Sequence, residues 1–393
     1  VARSASCEAG GGHGMTTIAV DSVAALCDRV REAADRHAPL RVVGRGTWLD
    51  AGRPVSASES VSTRELAGIT QYVPGDLTLT ARAGTTLDEI RQATAEHDQW
   101  LALDPHGGDQ GTLGATIATA SAGPLSSSFG TPRDLTLGVE FVTGDGVAVR
   151  GGGRVVKNVA GFDLTRLLTG SWGTLGVITE ATVRLHARPE ADESIMINLG
   201  DEAGVGRTRE LLRQLPFSPY ACEIINAPLA KRVLGVDGVV ALIRLGGNKD
   251  AVAAQRAAFA ALGAVTDIDG NVWPRLRTTE GAGTVVFRLS ARPSEIARVW
   301  SAASAAASEF PGTLVSAMPA RGIVRCIAPG AALDAFRIWW ARPQQSLTRI
   351  GERLSPELWA TCDSPTADRI SSGIKRTFDP QGVLNPGIFG ERS

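Results

Sequence analysis

The chain has 393 residues, with 40 lysines and arginines against 41 aspartates and glutamates, for a net charge of −1. At about 150 residues per domain, that length points to two or three domains. The two signs of charge are interspersed, so there is no basic field for nucleic acid, and no apolar run reaches the ~20 residues that span a bilayer.

The opening run, "VARSASCEAGGGHGM", lacks the apolar stretch of a secretory signal. It reads as an unstructured leader over residues 1–14, with the folded chain starting near Met15. The expectation is a cytoplasmic protein without membrane insertion of its own, associated with a membrane only through a partner. Cys7, Cys27, Cys222, Cys326 and Cys362 are scattered and form no C-x-x-C pair, so this chain alone builds neither a zinc knuckle nor an iron–sulfur centre. No metal site is expected.

Beyond the leader, Val23, Leu26, Cys27, Val30, Ala33 and Ala34 recur at helical spacing, with Asp21 or Ser22 as the cap. "LRVVGRGTW" then reads as a short strand running into a glycine corner. "LTLTARAG" alternates as a strand, and Thr86 with Glu89 forms a capping box at the head of a second helix. Strand signals return over Leu135–Thr143, turn at Gly144–Gly146 and continue through Val149. Ala181, Val183 and Leu185 alternate as a further strand.

Glycine is concentrated in the middle of this half: 16 of the 45 glycines lie between Gly107 and Gly176. Each glycine inside a helix costs roughly 1 kcal/mol against alanine, so this region is expected to be short strands joined by tight turns. The four residues "GTLG" occur in it twice, as Gly111, Thr112, Leu113, Gly114 and again from Gly173 to Gly176. Both are read as corners at strand ends, and Gly44, Arg45, Gly46, Thr47, Trp48 is a third. Corners of this kind present backbone N–H groups unobstructed by Cβ atoms, and concave arrays of them bind phosphate. Glycine corners also simply turn strands. The dinucleotide fingerprint fails here, because Leu49 stands where its third glycine belongs, and the P-loop pattern is absent.

Past "HARPEADES" a strand gives way repeatedly to a polar loop and an alanine-rich helix, as in "VVALIRLGGNKDAVAAQRAAFAALG" and "VVFRLSARPSEIARVWSAAS". A second α+β domain is expected there. The tail, "FDPQGVLNPGIFG", returns to glycine and proline.

The runs "GTLGATIATASAGPLSSSFGTPRDLTLGVEFVTGDG" and "GGRVVKNVAGFDLTRLLTGSWGTLGVITEATVRL" resemble the FAD-binding domain of the p-cresol methylhydroxylase/vanillyl-alcohol oxidase family. Within the second, "VKNVAGFDLTRLLTGSWGTLGVIT" is similar to the FAD-binding, E-type subunits of bacterial glycolate oxidases, and "FDPQGVLNPG" resembles their usual ending. The likeness is dense over residues 40–188, thin through the middle, and returns at the tail. It implies an α+β fold: a two-subdomain FAD-binding domain over 15–188, a ferredoxin-like α+β cap domain over 189–365, and a tail, 366–393, returning to the first domain.

The same resemblance implies noncovalent FAD, since no histidine or cysteine stands where some relatives attach it. The Gly44–Trp48 corner then faces the pyrophosphate and the first GTLG faces the FAD. Gly173, Gly176, Val177 and Ile178 lie beside the adenosine half, and Pro105, Thr119, Gly123, Gly130 and Arg133 line the cofactor. Where relatives often have Gly-Gly-Gly-Thr this chain has Arg45, which either lends charge to the phosphates or points to solvent. His106, beside the first GTLG, either touches the cofactor or lies on a surface loop, and the surface loop is the favoured reading. Lys157, one of only four lysines, stands where arginine is this chain's habit.

Relatives that oxidise 2-hydroxy acids carry paired histidines and a metal in the second domain, with arginine for the carboxylate. Here the last histidine is His186. Arg244, Arg288, Arg321 and Arg325 are available for a carboxylate, but each is expected on a solvated strand face. The implied role is therefore the FAD-binding subunit of a glycolate/D-lactate dehydrogenase complex, partnered by a catalytic flavoprotein subunit and an iron–sulfur subunit. The catalytic residues are not readable. Two alternatives stay open: a free-standing FAD-dependent oxidoreductase of another small alcohol, and a scaffold subunit whose flavin site has decayed.

Overall fold

The computed structural model describes residues 16–153, 162–330, 333–342, 347–362 and 368–390. The leader, Cys7 and Lys157 lie outside the described residues. Three sheets carry the fold. Glu59–Ser62 is the centre of a parallel three-stranded sheet, flanked by Thr16–Ala19 and Leu40–Val43. An antiparallel five-stranded sheet runs in the order Ile69–Val73, Thr78–Arg82, Val177–Arg184, Thr136–Val142, Ala148–Gly152. An antiparallel eight-stranded sheet takes every strand from Ala191–Asn198 onward.

The first helix is Val23–Asp35, capped by the Ser22 hydroxyl. Its periodic apolar face (Leu26, Cys27, Val30, Ala33) packs onto Leu40 and Val61 of the small sheet. Thr86 and Glu89 form their reciprocal capping box at the head of Leu87–Ala95. The chain's end joins the same core. Leu40 N donates to Val383 O at 2.8 Å, Asn385 N donates to Leu40 O, and Val383 and Leu384 are buried beside Leu40.

The glycine-rich region departs from the expectation of strands and turns. The first GTLG opens a helix, Leu113–Thr119, whose N-cap is the Thr112 hydroxyl. Packing overrides propensity there. A Cβ on Gly114 would stand 2.6 Å from the Cβ of Ala83, so glycine is what lets this helix lie against the five-stranded sheet. The second GTLG does lead into a strand, Val177–Arg184.

In the large sheet, alternation sorts side chains between two faces. Ile195, Ile224, Ile243, Phe287, Val324 and Cys326 pack beneath the helices Ala203–Gln214, Lys249–Phe259 and Ile296–Glu309. Their neighbours Glu223, Arg288 and Arg325 point the other way, into space shared with the first half of the chain. Cys27, Cys222 and Cys326 are buried free thiols, and Cys362 is buried with its Sγ donating to Leu358 O.

Candidate functional site

Two connected cavities lie on that inner side. The first is an open cleft of about 160 Å³. All three glycine corners meet on it. Gly44, Arg45, Gly46, Thr47 and Trp48 form one wall, Pro105, Gly111, Thr112, Gly114 and Thr119 a second, and Gly173, Gly176, Val177 and Ile178 a third.

The corners meet because they lack side chains. A Cβ on Gly44 would stand 2.7 Å from Thr112 Oγ1, and one on Gly173 (φ +71°) would stand 2.9 Å from Asn385 Nδ2. A Cβ on Gly176 would stand 2.5 Å from the Phe141 ring. Asn385 locks two walls together: its Oδ1 accepts from Val42 N and its Nδ2 donates to Trp172 O, both at 2.7 Å. Lys375 Nζ donates to Thr174 O of the third corner, to Leu384 O and to the buried Asp379 carboxylate. Trp48 stacks on Trp172 with ring centroids 6.0 Å apart, and both line the cleft.

Four residues expected at the cofactor do not line this cleft. Leu113 is fully buried in the hydrophobic core beneath the helix it begins. Gly123 backs onto Asp104, whose carbonyl would be 2.0 Å from a Cβ there. Gly130 (φ +90°) leads into the Thr131–Asp134 capping box, and Arg133 in that turn is exposed. Conversely, sequence reasoning passed over Trp172 and Asn385. Both stood in plain signals, the first just before the second GTLG and the second in the "NPG" of the tail.

The second cavity, a chamber of about 370 Å³, shares Trp48, His106, Thr119, Ser121, Trp172 and Ile388 with the cleft. His106 is therefore no surface-loop residue. It stands at the seam, and burial together with the nearby guanidiniums of Arg325, Arg277 and Arg288 pushes its imidazole down to about 3, keeping it neutral at physiological pH. The expectation of solvated arginines is corrected for Arg325 and Arg244, while Arg288 keeps 40% of its side chain exposed. Arg325 is 5% exposed and pairs with both Glu280 and Glu352, because alternation aims it inward from a central strand. Arg244 makes two hydrogen bonds to Asp192 and lies 5.3 Å from the centroid of the Trp100 ring. Arg288 and Arg321 line the chamber.

The cleft and seam suit an extended, phosphate-bearing cofactor. Glycine backbone faces it from three sides, and the buried Ser121 Oγ and His106 Nδ1 on its wall have no hydrogen-bond partner in the protein. Among the described residues, no group of three His, Cys, Asp or Glu side chains could hold a metal ion, and no helix is long and apolar enough to cross a membrane.

Residues 16–152 match the model of the FAD binding domain. Across nearly its whole length the chain is also similar to the glycolate oxidase subunit GlcE of Escherichia coli K12: 31% identity over 367 residues, 92% of this chain and 96% of that protein. The chain belongs to the GlcE family. A glycolate oxidase subunit GlcD from Bacillus subtilis is 34% identical over 197 residues, half of this chain and 42% of that one. Among solved structures, p-cresol methylhydroxylase with substrate bound superposes with a TM-score of 0.73 at 15% identity, covering 95% of this chain and 88% of that one. The fold of this GlcE-family chain is thus the FAD-binding fold of the p-cresol methylhydroxylase type, and FAD is its cofactor.

Proposed function

We propose that this GlcE-family flavoprotein is the FAD-holding subunit of a 2-hydroxy acid dehydrogenase complex, taking part in electron transfer from glycolate or D-lactate to an iron–sulfur partner. The observation that carries the reading is the convergence of three glycine corners on one cleft in a chain similar along its length to a glycolate oxidase subunit. On this reading residues 15–188 hold the cofactor, 189–365 cap it, and 366–393 return to brace it. The cofactor is held without a covalent bond, and substrate turnover rests with a catalytic flavoprotein subunit.

The chain's own residues divide the work. N–H groups at Gly44–Trp48 would hold the diphosphate, each hydrogen bond to a charged oxygen contributing ~1.5–3 kcal/mol. At the first GTLG the N–H groups of Gly111, Leu113 and Gly114 already donate to Gly108 O, Thr85 O and Ala83 O, and that corner serves as glycine wall. Val177 and Ile178 give the adenosine an apolar bed. Ser121 and His106, whose polar atoms lack partners, receive the polar edge of the ring system, and the Trp48–Trp172 pair excludes water. Bound FAD supplies a two-electron acceptor.

The test is the visible absorption spectrum of the purified chain before and after anaerobic glycolate or D-lactate. The expected result is a flavin spectrum that stays oxidised with the chain alone and bleaches when partner subunits are co-purified. Absence of flavin overturns the reading, and bleaching by the isolated chain moves the substrate site onto it.

A further inference from the structure

The chamber beyond the cofactor cleft has a chemistry that holding FAD does not require. Among the described residues, five guanidiniums line it, from Arg53, Arg288, Arg321, Arg325 and Arg349, and one carboxylate, Glu352. Glu280, which pairs with Arg325 and lies outside the wall, adds a second acid, and among the described residues the guanidiniums still outnumber the carboxylates at the chamber. The neutral imidazole of His106 adds none.

Arg53 and Arg349 are anchored on backbone carbonyls, whereas Arg288 keeps 40% of its side chain exposed. Arg53 donates to Trp359 O and Cys362 O while lying over the Trp359 ring, 5.0 Å from its centroid. Arg349 donates to Trp339 O and Arg342 O. Arg321 donates one bond, to Ser126 O at 3.2 Å, and Arg288 reaches Glu352 only at 3.7 Å, so both keep donors for a ligand. A concave site lined by one sign of charge within low-dielectric walls focuses its field on an incoming anion. Planar guanidiniums also match a carboxylate's two oxygens.

Besides Thr119, Ser121, Ser126, Thr131 and His106, much of the wall is apolar and flat. Trp340 and Trp359 join Trp48 and Trp172 at the seam, with Met318 and Ile323 from the large sheet and the turn beyond it. Trp359 Nε1 is buried without a hydrogen-bond partner. An inorganic ion would leave these indoles unused, and an uncharged aromatic would leave the guanidiniums unused. We propose that this chamber is a binding site of the chain's own for a small organic anion, a carboxylate carried on an aromatic or similarly flat apolar body, with Arg288 and Arg321 taking the carboxylate.

Isothermal titration of the full-length purified chain with phenylacetate tests this, with acetate, inorganic phosphate and benzyl alcohol as comparisons. Phenylacetate should bind once per chain, at least about tenfold more tightly than any of the three, and more weakly as salt rises. Arg288→Ala and, separately, Arg321→Ala should each weaken it by about tenfold, while Arg213→Ala, on an exposed helix face, leaves it unchanged. Two variants guard against a folding defect in one, and thermal melts identify which to read. Absent binding at millimolar phenylacetate overturns the proposal, as does binding untouched by both substitutions. Equal affinity for benzyl alcohol removes the anion site, and equal affinity for acetate or phosphate removes the apolar body. The heat of binding does not depend on flavin reduction, so this outcome and that of the complex are read separately.

Discussion

At Gly44 the space between two corners is already spent: its missing Cβ would touch Thr112 Oγ1, and Thr112 is at once the neighbouring corner and the N-cap of Leu113–Thr119. Gly44→Val forces that hydroxyl away, at the ~1 kcal/mol typical of a lost cap, and fills the cleft floor. The expected outcome is a folded chain that retains flavin at least about tenfold less well, read as the ratio of flavin to protein absorbance after gel filtration. His106 gives a second prediction. Its folded value, about 3, lies below the ordinary value of 6.5, so between these values the unfolded chain binds the extra proton. Its contribution is full above about 6.5 and falls as pH drops toward 3, by at most about 1.4 kcal/mol per pH unit. Asp104, raised to about 7 mainly by burial, acts oppositely: its folded form binds the extra proton between about 4 and 7, so it costs stability as pH rises through that window. His106→Gln should therefore shallow the loss of melting temperature between pH 6.5 and 5. Asp104→Asn should leave that limb steeper and raise stability at pH 8.

At the scale of elements, the tail is a structural strut of the cleft. The Asp379 carboxylate is fully buried, accepts from Val383 N and Leu384 N, and pairs with Lys375, which in turn holds the carbonyl of Thr174. Replacing the acid leaves a largely buried ammonium and two backbone donors without their partner. Asp379→Ala should cost about 3–5 kcal/mol in denaturant unfolding and release flavin with it. Lys375→Met should cost less, because backbone donors still satisfy the carboxylate. Elements of this half could be read where the signal was local. Ser22, Thr86 and the alternation around Val183 were sufficient, since caps and period-two patterns act within a few residues. The helix at Leu113–Thr119 could not, because its reason is the approach of Gly114 to Ala83, 31 residues away in sequence. Of the site, the three corners carried their own glycine signal. His106 at the seam and the inward arginines did not, since whether a polar residue in a strand or loop faces solvent depends on what the fold lays over it.

Across the whole molecule, the cofactor cleft and the eight-stranded sheet are joined by a buried chain of charge. Trp48 Nε1 donates to Glu280, Glu280 pairs with Arg325 and Arg353, Arg325 also pairs with Glu352, and Arg353 reaches back to Asp50 beside the first corner. Arg325, Glu280 and Glu352 are each under 15% exposed, so their attraction is weakly screened while their desolvation is costly. Burial alone would raise the Glu352 carboxyl, yet Arg325 and the neighbouring cations draw it below the usual range. Removing the shared cation should then be far worse than removing a single acid. Arg325→Met leaves Glu280 with Arg353 alone and Glu352 with only Arg288, 3.7 Å away, so the two buried carboxylates lose their shared cation and favour proton uptake as the chain folds. The expected loss is about 3–5 kcal/mol at pH 8, shrinking as pH falls toward 5 and a carboxyl protonates, as followed by urea unfolding at each pH. Arg325→Met combined with Glu280→Gln and Glu352→Gln should recover most of that loss and abolish its pH dependence. Recovered stability with poor flavin retention would show that the network's work is to hold Trp48 and the first corner against the sheet, rather than to hold the fold together.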